Sequence, residues 1–296
     1  MTNNIKYSII IPHKNIPNLL YRCLTSIPNC EELQIIIVDD NSDPNIVDFE
    51  NFPGSNKLNT EIYFTKNGKG AGFARNIGLK YAKGKWLIFA DSDDFFNDCF
   101  KPTINQYFNS KADIIYFSAT SVNSDTLTQE YRHLKTETTI RNYNLHNEDT
   151  ITEIKYANWE PWARMFNRDF IKNNNILFDE VMVGNDAGFV LKAGYYSRYI
   201  EVNTNPIYCV TFRESSLSYE VNETAFNNQY KATLLVNNYL MKLGRKTLSI
   251  GPHILEGRKY GFIKMIKMIF LARNYIIHKI KVKLKNQLFK TLKNQY

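Results

Sequence analysis

The sequence predicts an α/β fold: a mainly parallel central sheet flanked by helices, followed by a C-terminal helical extension. Three observations predict it. Between Tyr7 and Phe117, short runs of β-branched and aromatic residues alternate with amphipathic stretches, the pattern of successive βαβ units. Two of these runs, 35–38 and 86–90, are apolar throughout and end in carboxylates, where α/β sheets place their ligands. Beyond residue 220, apolar side chains recur at helical intervals.

Taken in order, the first strand is expected over 7–11 and is followed by a helix over 18–26, with Leu19, Leu20, Cys23, Leu24 and Ile27 at helical spacing. The second strand, 35–38, runs into Asp39, Asp40, Asn41, Ser42 and Asp43, one of which is expected to cap a helix opened by Pro44. A third strand at 62–64 precedes three alternating glycines (Gly68, Gly70, Gly72) that lead into a helix between 72 and 82. Amides at such a helix start favour an anion. The strand at 86–90 ends in Asp91, Ser92, Asp93 and Asp94, and a further strand covers 114–117. Residues 118–152 are polar with few apolar anchors and read as a long excursion or weakly structured insertion. A second ordered block holds 159–170, a helix near 187–194 and a strand over 207–212; another helix covers 223–243. The expected division is 1–220, with halves 1–110 and 111–220, and a C-terminal helical region over 221–296.

With 296 residues, 44% hydrophobic and 14% aromatic, the chain carries enough apolar side chains for a sizeable core, which excludes a disordered chain. Cys23, Cys30, Cys99 and Cys209 form no CxxC pair and read as reduced thiols rather than a disulfide framework or zinc site. No secretory leader and no apolar run of membrane-spanning length is found, so a cytoplasmic location is expected. The net charge of +8 is concentrated at one end. From Arg258 to Tyr296 there are eleven Lys and Arg and no acidic residue, which leaves 26 basic against 29 acidic residues before them.

The acidic turn at 91–94 carries the chemistry. Three carboxylates within four residues repel one another unless a cation sits among them, and a hard ion such as Mg²⁺ or Mn²⁺ with a bound phosphate meets that demand. The competing reading is a helix cap or turn. Asp40 at the end of its strand can accept from a base imide or a ribose hydroxyl, or cap the next segment. Arg75, in the helix after the glycines, either reaches a phosphate or solvates a helix face. Asp186 is either the cap of its helix or a general base delivered from another part of the chain. The glycines fit neither a Walker loop nor the dinucleotide fingerprint.

Taken together, Tyr7-Ser8-Ile9-Ile10-Ile11-Pro12, Ile37-Val38-Asp39-Asp40-Asn41-Ser42, Ala74-Arg75-Asn76-Ile77-Gly78-Leu79 with Ala82-Lys83-Gly84-Lys85-Trp86, and Asp91-Ser92-Asp93-Asp94 resemble the ordered signature of family 2 glycosyltransferases of the GT-A fold. The resemblance continues more loosely through Trp162-Ala163-Arg164-Met165-Phe166, Asn185-Asp186 and 212–218. His13-Lys14 stands where the family more often has an apolar residue and Tyr, and Asn185 where Glu is common. The resemblance implies a nucleotide-sugar-binding half over 1–110 and an acceptor half over 111–220. It implies Asp40, with Asp39 beside it and Pro12 alongside, at the base; Asp91 and Asp93 as the DxD motif, with Asp93 the principal ligand of a divalent cation and Asp91 reaching ribose or metal; and Asp186 as catalytic base.

The activity implied is inverting transfer from a nucleotide diphosphate sugar, a UDP-sugar foremost, to a saccharide or lipid-linked saccharide acceptor in capsular or surface polysaccharide synthesis. A metal-dependent nucleotidyltransferase or hydrolase, or an inactive nucleotide-sugar-binding module, is the alternative. In the tail, Ile277, Ile280, Leu284, Leu288 and Leu292 recur at helical intervals among lysines, with Phe262, Ile263, Ile266, Ile269 and Phe270 upstream. This reads as a helix on the anionic inner face of a membrane rather than a nucleic-acid arm.

Overall fold

The computed structural model describes residues 5–182, 184–213 and 223–293. The backbone divides into two compact units, Met1–Tyr219 and Glu220–Tyr296.

The first unit is built on one eight-stranded sheet: β1 (Tyr7–His13), β2 (Leu33–Asp39), β3 (Thr60–Phe64), β4 (Trp86–Phe89), β5 (Phe95–Phe96), β6 (Ile114–Asn123), β7 (Arg164–Asn167) and β8 (Ile200–Phe212). The spatial order is β3-β2-β1-β4-β7-β6-β8-β5. Strands β3, β2, β1 and β4 are mutually parallel, β7 is antiparallel to both β4 and β6, and β6 runs parallel to β8. The sheet is therefore mixed, with its parallel part at the N-terminal end of the chain.

The uniformly apolar strands are buried on both faces, as expected of parallel strands covered by helices. Ile9, Ile11, Ile35, Ile37, Trp86 and Ile88 pack on one side with Leu20, Cys23 and Leu24 of helix α1 (Pro17–Thr25). The alternate residues Ile10, Ile36, Val38, Leu87 and Phe89 pack on the other. There they meet Ala74 of α2 (Ala71–Tyr81), and Phe189, Val190 and Ala193 of α7 (Asp186–Tyr196). Trp162 belongs to the core, stacked on Tyr208 at 5.8 Å.

The chain leaves β1 toward β2 and β3 on one side and returns to pair β4 on the other, so the order reverses between β1 and β4. A crevice opens at such a point outside the strands' carboxyl ends. Register brings the strand ends together beside it: His13 lies opposite Asp39, and β4 ends beside β1, just before Asp91.

Two expectations are corrected. Pro44 opens no helix: Ile46 and Val47 N–H donate to the Asp43 carbonyl in one turn that does not propagate, because Val47 and Phe52 are drawn into the core. Residues 118–152 are ordered. β6 extends to Asn123 along β8, and the hydroxyl of its buried Ser121 lies 2.7 Å from His133 Nδ1. Beyond α3 (Phe100–Asn105) come two further helices, α4 (Leu134–Asn142) and α5 (Glu148–Tyr156). Asn147 caps α5 by accepting from the Asp149 and Thr150 amides, and Glu148 and Asp149 in the first turn complement its dipole. Ile140, Ile154 and Tyr156 supply the buried anchors.

The second unit, after the short α6 (Arg168–Asn173) of the first, consists of α8 (Glu223–Lys242), α9 (Gly251–Gly257), α10 (Phe262–Leu271) and α11 (Arg273–Lys293). Phe226, Tyr230, Ile250, Met268 and Ala272 form its core.

Candidate active site

A cavity of about 470 Å³ lies in the crevice. Pro12, Asp40, Arg75, Asp91, Asp93 and Asp186 all line it, together with His13, Lys14, Ser92, Asn185 and Arg213. Residues far apart in the chain thus share one wall.

The acidic turn is closed by the Asp94 N–H donating to the Asp91 carbonyl. Its carboxylates divide by depth. Asp94 is buried and caps nothing: it accepts from the Tyr208 hydroxyl at 2.9 Å and from the Thr211 amide at 2.7 Å, which ties the turn to β8. The same Tyr208 hydroxyl accepts from the Asp91 N–H. Arg22 and Thr211 donate to the Asp93 carbonyl. With its backbone held at four points, the turn presents Asp91 and Asp93 to the cavity. Burial, then the neighbouring Asp93 and Asp91, push the Asp94 carboxyl well above its usual range. Burial and Asp91 raise Asp93 as well, against the pull of Arg213, whose Nη2 stands 3.3 Å from Asp93 Oδ2.

Arg75 is the hub. It is 3% exposed, lies over the Phe178 ring, and donates from Nη1 to Asn185 Oδ1 (2.8 Å) and Asp186 Oδ1 (2.6 Å), and from Nη2 to Asp91 Oδ1 (2.6 Å). Burial disfavours its charge, but Asp186 and Asp91 more than offset this and hold it protonated. It therefore solvates no helix face; α2 points it inward. Asp186, the first residue of α7, remains partly open to the cavity. Burial raises its carboxyl to about 6, Arg75 opposing and Asp91 and Glu160 assisting.

Asp40 and Asp39 part company. Asp40 lines the cavity and accepts from the Lys69 and Gly70 amides at 3.0 and 2.7 Å, so the anion that the glycines favour at the α2 start is supplied by the protein itself. Gly70, at φ +93°, makes that approach possible. Asp39 is not among the side chains that line the cavity. Its oxygens are taken by His13 Nδ1 at 2.8 Å, the Ser42 amide and the Ser42 hydroxyl. His13 Nε2 accepts from the Ile16 amide, so the ring carries its proton on Nδ1 toward Asp39.

A divalent cation would need oxygen donors converging on one point of this wall. Among the described residues no three His, Cys, Asp or Glu side chains cluster in a metal-binding arrangement. Two crowded carboxylates, Asp91 and Asp93, face the cavity. Mg²⁺ is commonly held by one or two carboxylates, with phosphate oxygens and water completing its shell. The residues fit a cation that arrives with a diphosphate.

The segment carrying Asp186 is placed by close approach of α2. A Cβ on Gly72 would come within 2.2 Å of the Asp179 carbonyl and 2.8 Å of Asn185 Cβ. Gly72→Ala is expected to displace Asp179 and Asn185 and lower turnover at least about tenfold, at a cost of about 1–3 kcal/mol in stability. Steady-state kinetics beside a melting curve check this.

Sequence reasoning assigned no site role to Lys14, Met182 or Arg213. Lys14 stands at the end of β1, where strand ends meet ligands, and that position was its available signal. Arg213 needed the β8 trace. Residues 214–218 of the looser motif lie outside the described residues.

The family model described as Glycosyl transferase family 2 matches residues 8–178. The poly(ribitol-phosphate) β-N-acetylglucosaminyltransferase TarS of Staphylococcus aureus (strain MW2) is 26% identical over 213 residues, covering 69% of this chain and 35% of its own. The glycosyltransferase EpsJ of Bacillus subtilis (strain 168) is 23% identical over 78% of this chain and 70% of its own. The minor teichoic acid biosynthesis protein GgaB of the same organism is 25% identical over 95% of this chain and 35% of its own. The chain thus spans about a third of the length of TarS and GgaB. The crystal structure of S. aureus TarS 1–349 in complex with UDP-GlcNAc superposes with a TM-score of 0.63 at 23% identity, over 84% of this chain and 70% of that one. The fold they share is the expected GT-A fold, a mixed sheet flanked by helices.

Proposed function

The chain belongs to glycosyl transferase family 2, and from that premise we propose that it transfers a sugar from a UDP-sugar to a saccharide acceptor, with inversion at the anomeric carbon, in surface polysaccharide synthesis. One observation carries the reading. Asp91 and Asp186, 95 positions apart, are gripped by the same buried guanidinium on the wall of one cavity, with Asp93 beside them. The names of the relatives support the donor and polymer class: TarS 1–349 was crystallised with UDP-GlcNAc, and TarS and GgaB are named for poly(ribitol-phosphate) glycosylation and teichoic acid synthesis. We extend the acceptor to saccharides carried on a lipid.

Asp40 retains lone pairs beyond its two amide bonds and accepts from the base imide, with Pro12 against the ring. Asp91 receives the ribose hydroxyls or shares the cation. A Mg²⁺ or Mn²⁺ held by Asp93 and Asp91 would neutralise the diphosphate as it departs. Lys14 and Arg213 add positive charge along the same wall. Asp186, unprotonated, takes the proton of the acceptor hydroxyl as that oxygen attacks the face opposite the leaving group. Arg75 keeps the carboxylate turned to the cavity.

A melting-curve screen tests the donor site. UDP and UDP-GlcNAc at about a hundred times Kd stabilise a native protein by about 2.7 kcal/mol. The expected result is a rise in Tm with uridine compounds, larger with Mg²⁺ or Mn²⁺ and losing that metal increment in Asp93→Ala. No rise with any uridine nucleotide overturns the reading.

A further inference from the structure

Helix α10 presents one face to its unit and leaves the other bare. Met268 is buried among Phe226, Tyr230, Ile250 and Ala272, and its carbonyl accepts from the Tyr230 hydroxyl at 2.8 Å. Lys264, on the same flank, pairs with Glu223 at 3.0 Å. At 100° per residue, Phe262, Ile263, Ile266, Ile269 and Phe270 fall within a single stripe on the opposite side. All five are exposed, Phe262 at 68%, Ile263 at 71% and Phe270 at 65%. Helix α11 also exposes Ile277, Ile280 and Leu284 at helical spacing. Two phenylalanines and several isoleucines side by side on one surface mark an interaction site rather than scattered surface apolars.

Charge selects the occupant. The eleven Lys and Arg from residue 258 onward have no acidic residue among them. A second copy docked on this face would set cation against cation, whereas an anionic bilayer offers acyl chains to the stripe and phosphates to the lysines. No described helix is long and apolar enough to cross a membrane, and α10, ten residues long, spans about 15 Å. We propose that α10 lies flat on an anionic lipid surface, with Phe262, Ile263, Ile266, Ile269 and Phe270 sunk to the acyl boundary and Lys279, Lys281 and Lys283 of α11 on the headgroups. This goes beyond the transfer reaction and does not depend on it.

Sedimentation of the full chain with vesicles tests it. Binding is expected to vesicles of phosphatidylcholine with about a quarter phosphatidylglycerol, not to phosphatidylcholine alone, and to be lost in about 0.5 M NaCl. Phe262→Ser with Phe270→Ser should lower the partition coefficient about tenfold or more. Lys279→Glu with Lys281→Glu and Lys283→Glu should do the same by the electrostatic route. Both sets are surface changes, so the melting curve and its response to UDP should stay as in the parent, which separates this proposal from the donor-site reading. Equal sedimentation of parent and variants, or none with anionic vesicles, overturns it. So does a self-associated species in the analytical ultracentrifuge that the Phe variants dissociate.

Discussion

Asp186→Asn is expected to lower turnover by about 10²–10⁴-fold, the usual contribution of a positioned base, while the melting curve and its response to UDP remain. The amide keeps an oxygen for Arg75 Nη1 and cannot take a proton, so the loss falls on kcat rather than donor binding. The pH profile carries the same information with a defined sign. A base works only when unprotonated, and the Asp186 carboxyl sits at about 6. In the parent, kcat/KM should therefore rise with pH, reach half its plateau near 6 and flatten above, falling about tenfold per unit on the acid side. A profile flat from pH 5 to 8 would remove Asp186 from this role.

Arg75→Met should be the most destabilising single change in the site. It takes the shared cation from Asp91 and Asp186 and leaves Asn185 Oδ1 without that donor. Removing one partner of a buried ion pair costs about 3–5 kcal/mol, and the partial exposure of both carboxylates places this case at about 3. That corresponds to a fall in Tm of roughly 6–12 °C for a domain of this size. The loss should be smaller at pH 5 than at pH 8. Without the guanidinium, Asp186 shifts further upward from about 6, is protonated at pH 5 and no longer repels Asp91. Arg75→Lys should not rescue, since one ammonium cannot serve three acceptors in a planar fork. Equal melting temperatures for Arg75→Met and the parent at pH 8 would contradict the hub.

Much of the parallel half was legible because its strands are local: Ile35, Ile36, Ile37 and Val38 read as a buried strand whatever surrounds them. The cavity wall was legible for a related reason, since Asp40 and Asp91 lie at strand ends and strand ends converge in this topology. What escaped reading depends on partners distant in sequence. Asp94 has the composition of a cap, and only the return of β8 brings Tyr208 and Thr211 onto it. Asp39 looks equivalent to Asp40 until His13 and Ser42 close on it. The polar stretch after Phe117 lacks a continuous apolar stripe, and its order comes from the β6 ladder on β8 and a few anchors such as Ile140 and Ile154. Asn147 ahead of Glu148 and Asp149 was a helix start that composition alone obscured.

The most direct test of sugar transfer is product analysis by mass spectrometry and proton NMR after incubation with UDP-GlcNAc and other UDP-sugars, Mg²⁺ or Mn²⁺, and a panel of polysaccharide and lipid-linked acceptors. The expected result is an acceptor heavier by one glycosyl residue, linked β from an α-configured donor, one UDP released for each transfer, and product formation at least about a hundredfold slower with Asp186→Asn. Donor consumption with no gain on any acceptor, or a nucleotide found on the acceptor, would contradict it.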